Sequence, residues 1–359
     1  RPLLLACESY AGHYVPQLAA RLAGRARGGR GDGDTELDLR GFIIGNPSTD
    51  KTTDRIGAGD FLWSHGFISD EALAEVHDAC SKSSEDGSQG ACLDAFERVN
   101  REIGPVNIYD LYVDVCVPPA ARAEAVAFMR AASRTPVLDA SVRVADVGAG
   151  ASLSAMFATH SGRRAGSGGV SIPRGTRGWA HESKSRGGWA EWLGLGGSVG
   201  EDGPAYDPCV DDEVETYLNL PEVQRALHAN QTVKLPWRWT DCSDEVQYEF
   251  NDVWNDMRPF YADFAAAGDL RVYVFSGDID GMVPLVGTRR WVGGLGLHVK
   301  RPWRAWYSEG NPQVAGYYVE YDGLLYATVR GAGHMVPYTQ PERMLHLFKA
   351  FLAGEPPSP

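Results

Sequence analysis

The spacing of apolar and polar positions divides the chain into segments of different kinds. Leu3-Leu4-Leu5-Ala6 is an apolar run of strand length, and apolar residues at Val15, Leu18, Ala19 and Leu22 then recur with the period of one helix face. This predicts a buried strand, a tight turn over Cys7-Glu8-Ser9-Tyr10-Ala11-Gly12, and a helix. The Gly-rich stretch from Arg25 to Asp34 reads as a solvated loop. Leu37 to Asn46, with its core Gly41-Phe42-Ile43-Ile44-Gly45, reads as a second buried strand ending in a turn. After Asp50 the period becomes helical, at Asp70 to Cys80 and at Cys92 to Glu102, where Leu93, Phe96 and Val99 share one side.

From Ser133 to Gly203 the composition shifts to Ser, Gly and Arg without a period that could bury a face, so a flexible or cleavable linker is expected. Order resumes at Tyr206-Asp207-Pro208-Cys209, and Leu220-Pro221 begins a helix with proline in its first turn. A helix from Phe260 to Ala267 stops at Gly268, and Leu270 to Gly277 is a strand rich in β-branched and aromatic residues. Val314–Tyr321 and Leu324–Val329 form a hairpin turned at Asp322-Gly323, and Pro341 to Leu352 is an amphipathic helix. Strands alternating with helices imply an α/β fold on a mostly parallel sheet, with sites at the carboxyl ends of its strands. The organisation expected is a core in two parts, residues 1–50 and 204–359, with a helical cap at 51–132 and the linker at 133–203.

A chain of 359 residues can hold one large α/β domain with an insertion. Its 43% hydrophobic and 23% charged residues are globular proportions, and no run approaches the ~20 apolar residues that span a bilayer, so no membrane partner is expected. The net charge of −13, with no basic block interleaved with aromatics, argues against a nucleic-acid partner. Because the chain begins at Arg1, inside what reads as a core strand, we expect an N-terminally truncated polypeptide, and the lack of a targeting segment is uninformative.

Ser9 on a strand-to-helix turn has the setting of a nucleophile elbow, which projects a hydroxyl off the sheet and aims helix N–H groups at the same point. The small residues such an elbow needs two before and two after the serine are Cys7 and Ala11. Asp278 and Asp280 follow the strand ending at Gly277, and His334 follows the one ending at Val329. The order serine, acid, histidine is that of α/β hydrolases. In such a set the histidine takes the serine proton as general base, while the acid fixes its tautomer. Either aspartate fits the acid role on position alone.

Four segments carry a resemblance: Glu8-Ser9-Tyr10-Ala11-Gly12-His13-Tyr14-Val15-Pro16, Trp63-Ser64-His65-Gly66-Phe67-Ile68-Ser69-Asp70, Ser276-Gly277-Asp278-Ile279-Asp280 and Arg330-Gly331-Ala332-Gly333-His334-Met335-Val336-Pro337. They resemble the serine carboxypeptidase family, particularly its plant-type members. The resemblance implies an α/β-hydrolase fold with an inserted helical cap, here lacking its N-terminal strands. It favours Asp280 as the triad acid beside Ser9 and His334, and the Tyr10 N–H as one oxyanion donor. It further implies that Glu8 shares a proton with a second glutamate and binds a substrate's terminal carboxylate, the basis of acid-pH activity; by position alone, Glu8 fits equally a carboxylate beside a helix N-terminus. Met335 resembles a variant linked to apolar terminal residues, although by itself it reads as a core methionine. The family's Trp-x-Asn-Gly-Gly-Pro-Gly-Cys-Ser-Ser segment, source of a second oxyanion donor, does not occur in these residues, so weak activity is expected.

Six cysteines without a Cys-x-x-Cys pair suggest neither a small disulfide scaffold nor a zinc site, and no metal or cofactor is expected. The resemblance pairs Cys80 with Cys92 and Cys116 with Cys209, leaves Cys242 unpartnered, and Cys7 reads as a buried thiol. Asn230-Gln231-Thr232 is a glycosylation acceptor pattern. The expected function is a C-terminal exopeptidase acting on peptides in a vacuole or outside the cell, with a homodimer compatible with the family. Its rivals are an acyltransferase or hydroxynitrile lyase using the same triad, and an inactive homologue acting by binding only.

Overall fold

The computed structural model describes residues 2–24, 37–86, 90–116, 209–230, 234–241, 243 and 256–358. The expected linker at 133–203 and Cys242 lie outside the described residues. The chain divides into two compact units, Arg1–Thr159 with Cys242–Pro359, and His160–Asp241.

The larger unit contains a six-stranded sheet of order β1-β2-β3-β6-β5-β4. Its strands are β1 (Pro2–Glu8), β2 (Asp38–Gly45), β3 (Arg271–Gly277), β4 (Val299–Tyr307), β5 (Val314–Tyr321) and β6 (Leu324–Val329). The neighbours β1, β2, β3 and β6 run parallel, and β5 and β4 join antiparallel. The described helices are α1 (Ala11–Leu22), α2 (Lys51–Ser64), α3 (Asp70–Asp86), α4 (Gly90–Ile103), α5 (Val210–Leu218), α6 (Pro221–Ala226), α7 (Arg258–Ala267), α8 (Leu285–Gly294), α9 (Val336–Thr339) and α10 (Pro341–Ala353).

Parallel strands need long crossovers, and helices supply them. On one face Phe42, Ile44, Val272 and Val274 pack against Ala19 of α1, Tyr261 and Phe264 of α7 and Trp291 of α8. On the other, Ile43, Tyr273 and Phe275 meet Met344, Leu347 and Phe351 of α10. Coverage on both faces explains why every residue of β6 is buried and why β3 reads as an unbroken apolar run. A third cluster joins α2, α3 and α4 through Phe61, Leu62, Val76, Phe96 and Val99, and there Cys80 and Cys92 form a disulfide. Helices α2 and α8 cross closely, since a Cβ on Gly57 would stand 2.4 Å from the Gly287 nitrogen.

Three expectations need correction. Leu18 is 45% exposed, because α1 turns the side bearing Ala11, Val15, Ala19 and Ala20 to the sheet. Cys7 is a free, exposed thiol rather than a buried one, because among the described residues β1 has a neighbouring strand on one side only. Met335 is 41% exposed and not part of the core.

In the smaller unit, three acidic residues sit in the first turn of α5, where the helix dipole favours them, and Pro221 opens α6. Asn219 ties this unit together by donating to the Trp239 carbonyl and accepting from its N–H, each at 2.8 Å.

Candidate active site

The four parallel strands end along one edge of the sheet, and a polar residue follows each: Ser9 after β1, Asn46 after β2, Asp280 after β3 and His334 after β6. The ladder continues past the strand ends. Ser9 N–H donates to the Gly45 carbonyl at 2.9 Å, Asn46 N–H to Phe275 at 2.8 Å, and Asp278 N–H to Val329 at 3.2 Å. The turns are therefore fixed to one another by backbone.

Ser9 has φ 64, the left-handed region that a residue with a Cβ enters only under strain. Its carbonyl accepts from Gly12 N–H at 2.9 Å and from Ser48 N–H at 3.1 Å, which holds the elbow against the loop after β2. A Cβ at Gly12 would lie 2.1 Å from the Ser48 oxygen, so this approach requires glycine. Tyr10 is the N-cap of α1, and its ring stacks on His13 at 4.7 Å.

His334 is 3% exposed, and its Nδ1 lies 2.8 Å from Asp280 Oδ2. Asp280 is fully buried and accepts at Oδ1 from the N–H groups of Met282, at 2.7 Å, and Val283, at 3.2 Å. Asp278, the competing acid, instead accepts from Gly331 N–H at 2.6 Å and so closes the turn after β6. The other imidazole nitrogen, Nε2, is buried and has no hydrogen-bond partner among the described residues, the Ser9 hydroxyl included.

Electrostatics couple Glu8 to this pair. Burial pushes the Glu8 carboxyl above its ordinary value, opposed by the positive charge of His334 and assisted by Asp280. For His334 the largest influence, burial, acts downward, but Asp280 and Glu8 outweigh it and hold the imidazole above its ordinary value. A cavity of about 600 Å³ opens beside Glu8, walled by Ala6, Cys7, Phe275, Pro337 and Met344. Among the described residues no group of three His, Cys, Asp or Glu could hold a metal ion, and no helix is long and apolar enough to cross a membrane.

A serine, a carboxylate and a histidine at the carboxyl ends of parallel strands of one sheet are of the types that acyl transfer uses. The family model described as serine carboxypeptidase matches residues 1–354. The chain belongs to the serine carboxypeptidase family. Among its relatives, serine carboxypeptidase-like 22 of Arabidopsis thaliana is 35% identical over 356 residues, covering 99% of this chain and 62% of that protein. Serine carboxypeptidase 24 of the same plant is 33% identical over 355 residues, again with 99% and 62% coverage. The chain thus spans about three-fifths of the length of these curated relatives. The crystal structure of a prohormone-processing carboxypeptidase from Saccharomyces cerevisiae superposes with a TM-score of 0.59 at 15% identity, covering 98% of this chain and 62% of that one, a likeness of fold. The chain has the α/β-hydrolase fold.

One residue of this candidate site escaped sequence reasoning. Asn46, fully buried, donates from Nδ2 to Asp280 Oδ2 at 2.6 Å, the oxygen that also meets His334, and accepts from Gly277 N–H at Oδ1 at 3.2 Å. The available signal was its place, directly after a buried strand that ends beside the strand carrying the acid. Cys116 and Cys209 are both disulfide-bonded. Asn230 lies in a left-handed turn, with its side chain bonded to the Leu235 backbone; Gln231 and Thr232 of its triplet lie outside the described residues.

Proposed function

We propose that this chain carries the catalytic apparatus of a serine-type carboxypeptidase that removes C-terminal residues from peptides in weak acid. The observation that carries the reading is the Asp280–His334 pair, which engages Nδ1 and leaves Nε2 buried and unbonded at the sheet edge where Ser9 sits. Nε2 takes the Ser9 proton as Oγ attacks the scissile carbonyl. The tetrahedral oxyanion is held by the Tyr10 N–H, and the leaving amine departs with the proton from His334. Water then enters by the same route in reverse, releasing the shortened peptide. Glu8, whose carboxyl burial keeps neutral into weak acid, donates to the substrate's terminal carboxylate, and Met335 lies beside the departing residue. A proton on Glu8 also withdraws a negative charge that raises the His334 pKa, so the base stays available at lower pH.

The Tyr10 N–H is one of the two oxyanion donors such a site uses, and loss of one donor costs ~10²- to 10³-fold in rate. A vacuolar or extracellular setting, a glycan on Asn230 and a homodimer belong to the same reading.

Labelling with a fluorophosphonate across pH 4 to 8, with Ser9→Ala as control, tests the site. Wild-type label confined to Ser9 supports it, whereas an unmodified Ser9 at every pH means a protein that acts by binding only. Release of free amino acid from N-blocked dipeptides, against acyl transfer from glucose esters, decides between peptidase and acyltransferase.

A further inference from the structure

The turn formed by residues 107–111 runs between the two loops that bear Asp280 and His334, and is bonded to both. Leu111 N–H donates to the Ile279 carbonyl at 3.2 Å, and Gly281 N–H to the Ile108 carbonyl at 2.9 Å. His334 N–H donates to the Tyr109 carbonyl at 2.6 Å, with the two rings 5.3 Å apart. Glycines make room on either side: a Cβ on Gly281 would stand 2.9 Å from Ile108 Cδ1 and Leu111 Cδ2. One on Gly333 would stand 2.5 Å from the Tyr109 carbonyl and 2.9 Å from Asp110 Oδ2. The turn is thus a strap between the acid and histidine loops. Asp110, within it, is 5% exposed, and its Oδ1 is buried without a hydrogen-bond partner among the described residues.

A buried carboxylate oxygen with nothing to accept is costly when charged and tolerable when protonated. We propose that Asp110 is a positioning residue, whose carboxyl must carry a proton for the strap to hold His334 in register with Asp280. This rests on the roles proposed above for those two residues. The charged groups acting on it are Asp278 and Asp280 from the loop after β3; from the loop after β6 the Gly333 backbone lies against it, and Tyr109 and Tyr112 flank it on its own turn. Arg343 interacts with Asp278 instead. Burial pushes the Asp110 carboxyl up to about 6; the Tyr112 backbone opposes this, and the charges of Asp280 and Asp278 reinforce it. Ionisation therefore places a third negative charge against Asp278 and Asp280, and the strap loosens as pH rises from the ordinary carboxylate range to about 6.

Amide exchange of the 331–335 segment tests the idea without relying on activity. In the wild-type chain its protection, relative to β3 amides of the same molecule, should fall about tenfold or more between pH 4.5 and pH 7, and in Asp110→Asn it should stay flat. Fluorophosphonate labelling of the same two proteins should agree at pH 4.5, with the variant several-fold faster at pH 7. A constant wild-type ratio overturns the proposal even if Asp110→Asn does not fold, and so does a variant that tracks wild type in both measurements. Loss of all labelling with the exchange pattern intact would sink the hydrolase reading and leave the strap's titration standing.

Discussion

Replacing Asn46 probes the candidate site most directly, because one buried side chain joins the strand ends of β2 and β3 to the Asp280 carboxylate. Asn46→Ala removes the 2.6 Å bond to Asp280, a charge-assisted interaction of about 1.5–3 kcal/mol. It also leaves the Gly277 N–H buried and unpaired, about 1–3 kcal/mol more. Asn46 has φ 43, a region asparagine tolerates and alanine enters at roughly 1 kcal/mol. Allowing for overlap, we expect a loss of about 3–5 kcal/mol in denaturant unfolding. Asn46→Gly lacks the strain but not the lost bonds, and should lie roughly 1 kcal/mol above Asn46→Ala. Asp280 retains its bonds from Met282 and Val283, so it should shift rather than leave. A misset imidazole on the order of 1 Å out of place should slow fluorophosphonate labelling of Ser9 by ~10²-fold. A stability loss below about 1 kcal/mol together with unchanged labelling would refute the reasoning.

Glu8→Gln removes a negative charge that raises the His334 pKa, so the pH at half-maximal labelling should move down; no movement, or an upward one, contradicts the proposed coupling. Gly12→Ala drives a Cβ into the Ser48 carbonyl, backbone that cannot swing aside, and should cost about 1–3 kcal/mol or more by denaturant midpoint. Gly90→Ala, with nothing within 4 Å, is the control and should cost nothing. Removing the Cys80–Cys92 disulfide, which closes a 12-residue separation between α3 and α4, should lower stability by about 3 kcal/mol, read as a fall in melting temperature of the Cys80→Ala/Cys92→Ala protein.

What could be read in advance follows from where each element lies. β3 and the β5–β6 hairpin were legible because buried strands concentrate β-branched and aromatic residues, and α10 because one of its sides packs on the sheet. β4 was not, since its first six residues, Val-Lys-Arg-Pro-Trp-Arg, are exposed along the sheet's outer edge and carry no apolar alternation. α2 escaped because it is covered on several sides and buries Asp54, Arg55 and Gly57 as well as Phe61 and Leu62, which erases any polar stripe. Ser9, Asp280 and His334 were singled out by residue type and strand-end position. Asn46 and Asp110 were not, because each looks like an ordinary turn residue until folding brings in partners from far along the chain.

The backbone at Ser9 has a consequence for how tightly this chain folds. Glycine would sit at φ 64 without strain, so Ser9→Gly should yield a polypeptide more stable by roughly 1 kcal/mol than the natural one. Folding alone would favour discarding the hydroxyl, so a serine at that position lowers stability in return for the reactive group the proposed mechanism needs.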